Sequence, residues 1–161
     1  PPPPPPPPPR PPVFFFFFFF PPPPPPGGGG VGGLNWGGGF WGEKGGDFVK
    51  VLLEARERGS NIFFIGNGGS AATASHFAND ISIGSREFDK PFRVISLCDN
   101  HAVITAIAND DGLDKVISRQ IEALANTGDI ALGISTGGTS INVVKALKAA
   151  NERQCKTFEE C

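Results

Sequence analysis

Asn61–Asp80, NIFFIGNGGSAATASHFAND, is the stretch on which the reading of the fold turns. Ile62-Phe63-Phe64-Ile65 is a short apolar run of aromatic and β-branched residues, suited to a strand buried in a parallel sheet. Gly66-Asn67-Gly68-Gly69-Ser70 follows at once, and then Ala71 to Ala78, an alanine-rich segment that favours helix. Strand, glycine loop and helix together present N–H groups and a positive helix end, which collect anions and sugar hydroxyls. Gly68 and Gly69 allow close backbone approach, while Asn67 and Ser70 add polar groups that glycine lacks. Ser70 is also expected as the N-cap. The loop fits neither GxGxxG nor GxxxxGK[ST], which weighs against a dinucleotide or Walker-type nucleotide site. Taken alone, such a loop is as well explained by a plain turn.

His76 and Asp80 tip the balance. Four residues apart, they project from one helix face, by this reading one turn beyond the loop. An imidazole and a carboxylate so placed can share a proton transfer or a metal ion. Without the loop, an ordinary surface pair would explain them equally well.

Outward from this stretch, the chain divides. Residues 1–46 hold 17 of the 18 prolines and 12 of the 22 glycines, with only Arg10, Glu43 and Lys44 charged. Pro1–Pro9, Phe14–Phe20, Pro21–Pro26 and Gly27–Gly30 are uninterrupted homopolymers. We read this segment as low-complexity, either disordered or the translation of homopolymeric nucleotide sequence, since CCC, TTT and GGG encode these three residues. Its apolar run, Val13–Phe20, is far short of the roughly 20 residues of a membrane-spanning helix. Nor does it carry a secretory cleavage site. The remaining 115 residues, 47–161, carry 12 Lys/Arg and 15 Asp/Glu, the mixture of a globular domain with one core. A mildly acidic balance offers nucleic acid no electrostatic partner surface. Cys98, Cys155 and Cys161 show no metal-binding spacing, so reduced thiols and a cytoplasmic location are expected.

Along residues 47–161 helices and strands alternate. Phe48 to Ala55 is an amphipathic helix stopping near Gly59, and the opening stretch runs to about Ile83. Phe92–Leu97 is a second strand, His101–Ala108 a helix, and Leu113–Ala125 another helix. Ile130–Ile134 is the third strand, Ser135-Thr136-Gly137-Gly138-Thr139-Ser140 a loop, and Ile141–Asn151 the next helix. The alternation predicts an α/β fold, a three-layer, doubly wound parallel sheet. In the second loop, hydroxyls, N–H groups and a helix start converge on a phosphate-sized anion, with no lysine needed. A lone N-cap would require only one of those hydroxyls. Both loops follow strands, and so lie at the carboxyl edge where α/β sheets bind ligands.

GNGGSAATASHFAND, AIAND and GDIALGISTGGTS resemble the sugar isomerase (SIS) domain, in particular phosphoheptose isomerases and their close relatives. The resemblance spans about Phe48 to Lys156, and it implies a flavodoxin-like sheet. It also implies a phosphorylated sugar as partner, isomerised between aldose and ketose, with sedoheptulose 7-phosphate as the type substrate. Asn67, Gly68, Gly69 and Ser70 would contact the sugar, with Asn109 and Asp110 lining the pocket. Ser135, Thr136, Gly137 and Ser140 would bind phosphate, Gly137 replacing a family serine and leaving only its N–H. His76 and Asp80 would be catalytic and, in the complete protein, zinc ligands. Nothing in the sequence itself requires a cofactor. Asp80 stands where the family commonly has glutamate, shorter by one methylene. The family continues through another strand, a loop and a long helix bearing a glutamine and a histidine, whereas Cys155–Phe158 here begins that strand. On this resemblance the chain is read as part of an SIS domain, incomplete at its C-terminus and without turnover on its own, from a homo-oligomer, a tetramer. Other members of the fold are non-catalytic scaffolds for the bacterial replication initiator, which CDN…ITAIAND also resembles, or sugar-phosphate sensors.

Overall fold

In the computed structural model of the chain, residues 43–160 are described, with side chains from 48 to 159. The homopolymer runs and Cys161 lie outside the described residues. The elements are α1 (Glu43–Arg58), β1 (Asn61–Gly66), α2 (Gly68–Gly84), β2 (Arg93–Ser96) and α3 (His101–Asp110). A 3-10 turn (Leu113–Lys115), α4 (Ser118–Leu124), β3 (Ile130–Ile134), α5 (Ile141–Glu152) and β4 (Lys156–Glu160) follow.

The four strands are parallel, in the order β2-β1-β3-β4. That is the flavodoxin-like order, whose switch point lies between β1 and β3. β1 and β3 are continuous apolar runs because both of their faces are covered. In-register residues share a face, so Phe64, Leu132 and Phe158 line up on one side of the sheet. There Phe64 meets Phe77 of α2 edge-on at 5.8 Å, and Phe158 meets Phe48 of α1 at 5.0 Å. The opposite face carries Phe63, Ile65 and Ala131 against Val116, Ile117 and Ile121 before and within α4, and Val143 and Ala146 of α5. The result is three layers, with α1 and α2 on one face and α4 and α5 on the other. Each fully buried Phe, Leu or Ile contributes about 1.5–3 kcal/mol, so this doubly covered sheet is where the fold is stabilised.

The amino edge is tied by one carboxylate. Asp129 is buried and accepts from the Asn61 N–H (2.8 Å), Asn61 Nδ2 (3.2 Å) and the Asn126 N–H (2.9 Å). Its own carbonyl accepts from the Lys156 N–H at 2.8 Å, which adds β4 to the same knot.

Three expectations change in detail. α1 begins at Glu43, ahead of Asp47. Leu113–Ala125 is not one helix. It breaks after the 3-10 turn, where Asp114 pairs with Lys145 of α5, and resumes where buried Gln120 donates to the Leu97 and Val116 carbonyls, each at 3.0 Å. α2 starts at Gly68 rather than near Ala71, which relocates both its cap and its histidine.

Candidate functional site

The register pairs Gly66 with Ile134, so the loops leaving β1 and β3 start side by side at the carboxyl edge. Asn67 leaves β1 in extended conformation (φ −125°, ψ 148°), and its carbonyl accepts from the Ser70 (2.9 Å) and Ala71 (3.2 Å) N–H groups. Asn67, not Ser70, is therefore the N-cap; Ser70 lies inside the first turn. Gly68 takes φ +51°, a left-handed conformation that glycine adopts without strain. A Cβ on Gly68 or Gly69 would meet nothing within 4 Å, so this side of the loop is open to a ligand.

The second loop is a tight turn over a buried serine. The Gly138 N–H donates to the Ser135 carbonyl at 3.3 Å, and Gly138 has φ +62°. Ser135 Oγ, 5% exposed as a residue, donates to Ser140 Oγ at 3.3 Å. Ser140 is the N-cap of α5, yet its side chain makes no capping bond. The hydroxyls thus gather at the helix start, where the first N–H groups and the dipole favour an anion. Thr136, Gly137 and Thr139 are solvent-facing. A Cβ at Gly137 would have Thr139 Oγ1 at 3.8 Å as its nearest neighbour, so a serine there would fit.

Two carboxamides join the first loop to the start of α5. Asn67 Nδ2 donates to Asn142 Oδ1 at 2.8 Å, and Asn142 Nδ2 donates back to Asn67 Oδ1 at 2.7 Å. Sequence reasoning missed Asn142, which reads there as a polar position in the pattern of α5. Its one clue is its place, second in a helix that follows a hydroxyl-rich loop.

His76 and Asp80 form the expected pair, Nε2 to Oδ2 at 3.2 Å, with the histidine side chain 67% exposed and the aspartate 24%. Asp80 also accepts from Asn79 Nδ2 at 3.1 Å. Because α2 starts early, the pair lies more than two turns in. At 1.5 Å per residue, His76 stands about 12 Å and Asp80 about 18 Å along the axis from Gly68. A catalytic zinc takes three protein ligands. Among the described residues no group of three His, Cys, Asp or Glu could hold a metal, so these two do not fit such a centre by themselves. Asn109 and Asp110 close the far end of α3, exposed, with Asn109 Nδ2 donating to Asp110 Oδ1 at 2.8 Å. No hydrogen bond among the described residues ties them to either loop.

Below the first loop, the Ser75 hydroxyl lies against the Asp99 carboxylate and 3.4 Å from Ser96 Oγ, fastening α2 to the end of β2. Cys98 Sγ donates to the Gly66 carbonyl at 3.3 Å. Burial pushes the Cys98 and Cys155 thiols up, so the neutral form is favoured in the folded state. A raised folded pKa means the stabilisation is complete below the unfolded thiol pKa of about 8.5 and fades as pH climbs through the folded value. Alkylation by iodoacetamide at pH 8, mapped by peptide mass, should therefore be slower at both sites than at a free thiol and quicken on denaturation. Equal rates in the native and denatured protein would contradict the burial described.

Residues 46–158 match the family model described as SIS domain. The phosphoheptose isomerase of Pelobacter propionicus is 45% identical over 112 residues, covering 70% of this chain and 59% of that protein. The structure of a phosphoheptose isomerase from Francisella tularensis superposes with a TM-score of 0.65 at 30% identity, covering 71% of this chain and 60% of that one. The corresponding enzyme structure from Neisseria gonorrhoeae gives 0.57 at 37% identity, covering 70% and 61%. The chain spans less than two thirds of the length of the curated relatives it matches.

Proposed function

The chain belongs to the SIS-domain family, and from that premise we propose that it binds a phosphorylated seven-carbon sugar as a phosphoheptose isomerase does. The observation that carries this is the bond, through Asn67 and Asn142, between the loop after β1 and the first turn of α5, beside the switch point. The phosphate sits at the start of α5, on the Ser135, Thr136 and Ser140 hydroxyls, the Gly137 N–H and the helix end. The sugar hydroxyls lie along Asn67 to Ser70, where the missing side chains of Gly68 and Gly69 let carbon atoms approach the backbone. Asn109 and Asp110 are the proposed distal wall.

The reaction is aldose–ketose isomerisation. A base removes the proton from the carbon next to the carbonyl while an acid protonates the carbonyl oxygen, giving an enediol. The neighbouring hydroxyl then gives up its proton to become the new carbonyl as the former carbonyl carbon takes a proton, so hydroxyl and carbonyl exchange places. Asp80 is the candidate base, with His76 beside it. Both lie well along α2 from the loops of their own chain, so a homo-oligomer, a tetramer on the family's pattern, would bring the pair from a neighbouring copy. The location we propose is the cytoplasm; among the described residues no helix is long and apolar enough to cross a membrane.

Calorimetric titration with sedoheptulose 7-phosphate, sedoheptulose and inorganic phosphate tests the reading. Charge-assisted bonds of about 1.5–3 kcal/mol each should make the sugar phosphate bind at least about tenfold tighter than the free sugar. Equal affinity for sugar and sugar phosphate would sink it.

A further inference from the structure

We propose that Asn142 is a positioning residue for sugar recognition: from the first turn of α5 it holds Asn67 and so fixes the spacing between the hydroxyl and phosphate subsites. The inference rests on the reading of the site given above. An asparagine at an N-cap ordinarily turns its side chain onto its own helix. Asn67 does not; its carbonyl takes the Ser70 and Ala71 N–H groups while the carboxamide reaches α5. The pairing is reciprocal, each amide donating once and accepting once at 2.8 and 2.7 Å. Exchanging oxygen and nitrogen in both groups leaves the pattern intact.

A carboxamide has two N–H bonds and two lone pairs, so each partner keeps one donor and one acceptor. On Asn67 that remaining pair suits two adjacent hydroxyls, one accepting and one donating, beside a stretch of loop where Gly68 and Gly69 leave open space. Asn142 is the second residue of the helix whose start gathers the Ser135 and Ser140 hydroxyls. Its side chain therefore connects the group that reads hydroxyls to the frame that holds the anion. Asn67 is exposed and Asn142 half-buried, and the bonds between them face solvent, so they compete with water and add little to folding. What they fix is orientation.

The test compares the wild-type chain with Asn67→Ala, Asn142→Ala and the double variant. Each is titrated with sedoheptulose 7-phosphate and, separately, with inorganic phosphate, and each is melted. N142A is expected to weaken the sugar phosphate about five- to tenfold, leave inorganic phosphate within about twofold, and leave the melting temperature unchanged. N67A should give a comparable loss, and the double variant should be no worse than N67A alone. The inference is overturned if N142A has no effect, if it weakens both ligands equally, or if the two losses add. A wild-type chain that binds neither ligand removes the site itself, a result distinct from a wild type that binds and variants that misbehave.

Discussion

Gly66→Ala should destabilise the fold by about 3 kcal/mol or more and lower the melting temperature by over about 10 °C. A Cβ at Gly66 would lie 2.6 Å from both the carbonyl carbon and the oxygen of Ser70, and 2.9 Å from the Ala71 nitrogen. All three are backbone atoms of the first turn of α2, so nothing can rotate aside. Relief requires α2 to lift from the end of β1, which would disturb the Phe64–Phe77 contact and the Cys98 bond to the Gly66 carbonyl. Against a typical net stability of about 5–15 kcal/mol, that is a severe loss. Gly69→Ala is the control. Its Cβ would meet nothing within 4 Å, so its melting temperature should stay close to wild type. Thermal melts of the two variants decide the matter; a G66A melt coincident with wild type would contradict the tight turn.

Asp129→Ala should cost roughly 3–5 kcal/mol by denaturant titration, because it deprives the Asn61 and Asn126 N–H groups of a partner that is itself out of solvent. Asp129→Asn keeps the shape but turns an amide N–H toward donors, and should fall between wild type and alanine. Because the carboxylate sits at the amino edge, away from both loops, D129N should retain its affinity for sugar phosphate wherever it is folded. A D129A variant as stable as wild type would remove this knot from the account.

The buried strands were the most legible part of the sequence. IFFI and IALGI are apolar without alternation because helices cover both faces, and each is bounded by a glycine- or hydroxyl-rich loop. β2 was legible as a short, largely apolar run within Phe92–Leu97, although as an edge strand it leaves Ile95 exposed and Ser96 half-buried. Boundaries depended on contacts that no local pattern records. The start of α2 moved because the Asn67 carbonyl, rather than a side chain, closes the first turn, and that set His76 a turn further from the loop. The break before α4 is tied to Lys145 and Leu97, both remote in sequence. Both loops could be placed at one sheet edge, because loops that follow parallel strands must lie there. Their bridge could not, since Asn67 and Asn142 are 75 residues apart and belong to no local motif.

The central claim is that the loop after β3 holds the phosphate of a sugar. Ser135→Ala with Thr136→Ala, titrated with sedoheptulose 7-phosphate, tests it most directly. The account predicts a loss of about tenfold or more in affinity, with the fold intact by thermal melting. A double variant that melts like wild type and binds the sugar phosphate with unchanged affinity would contradict it.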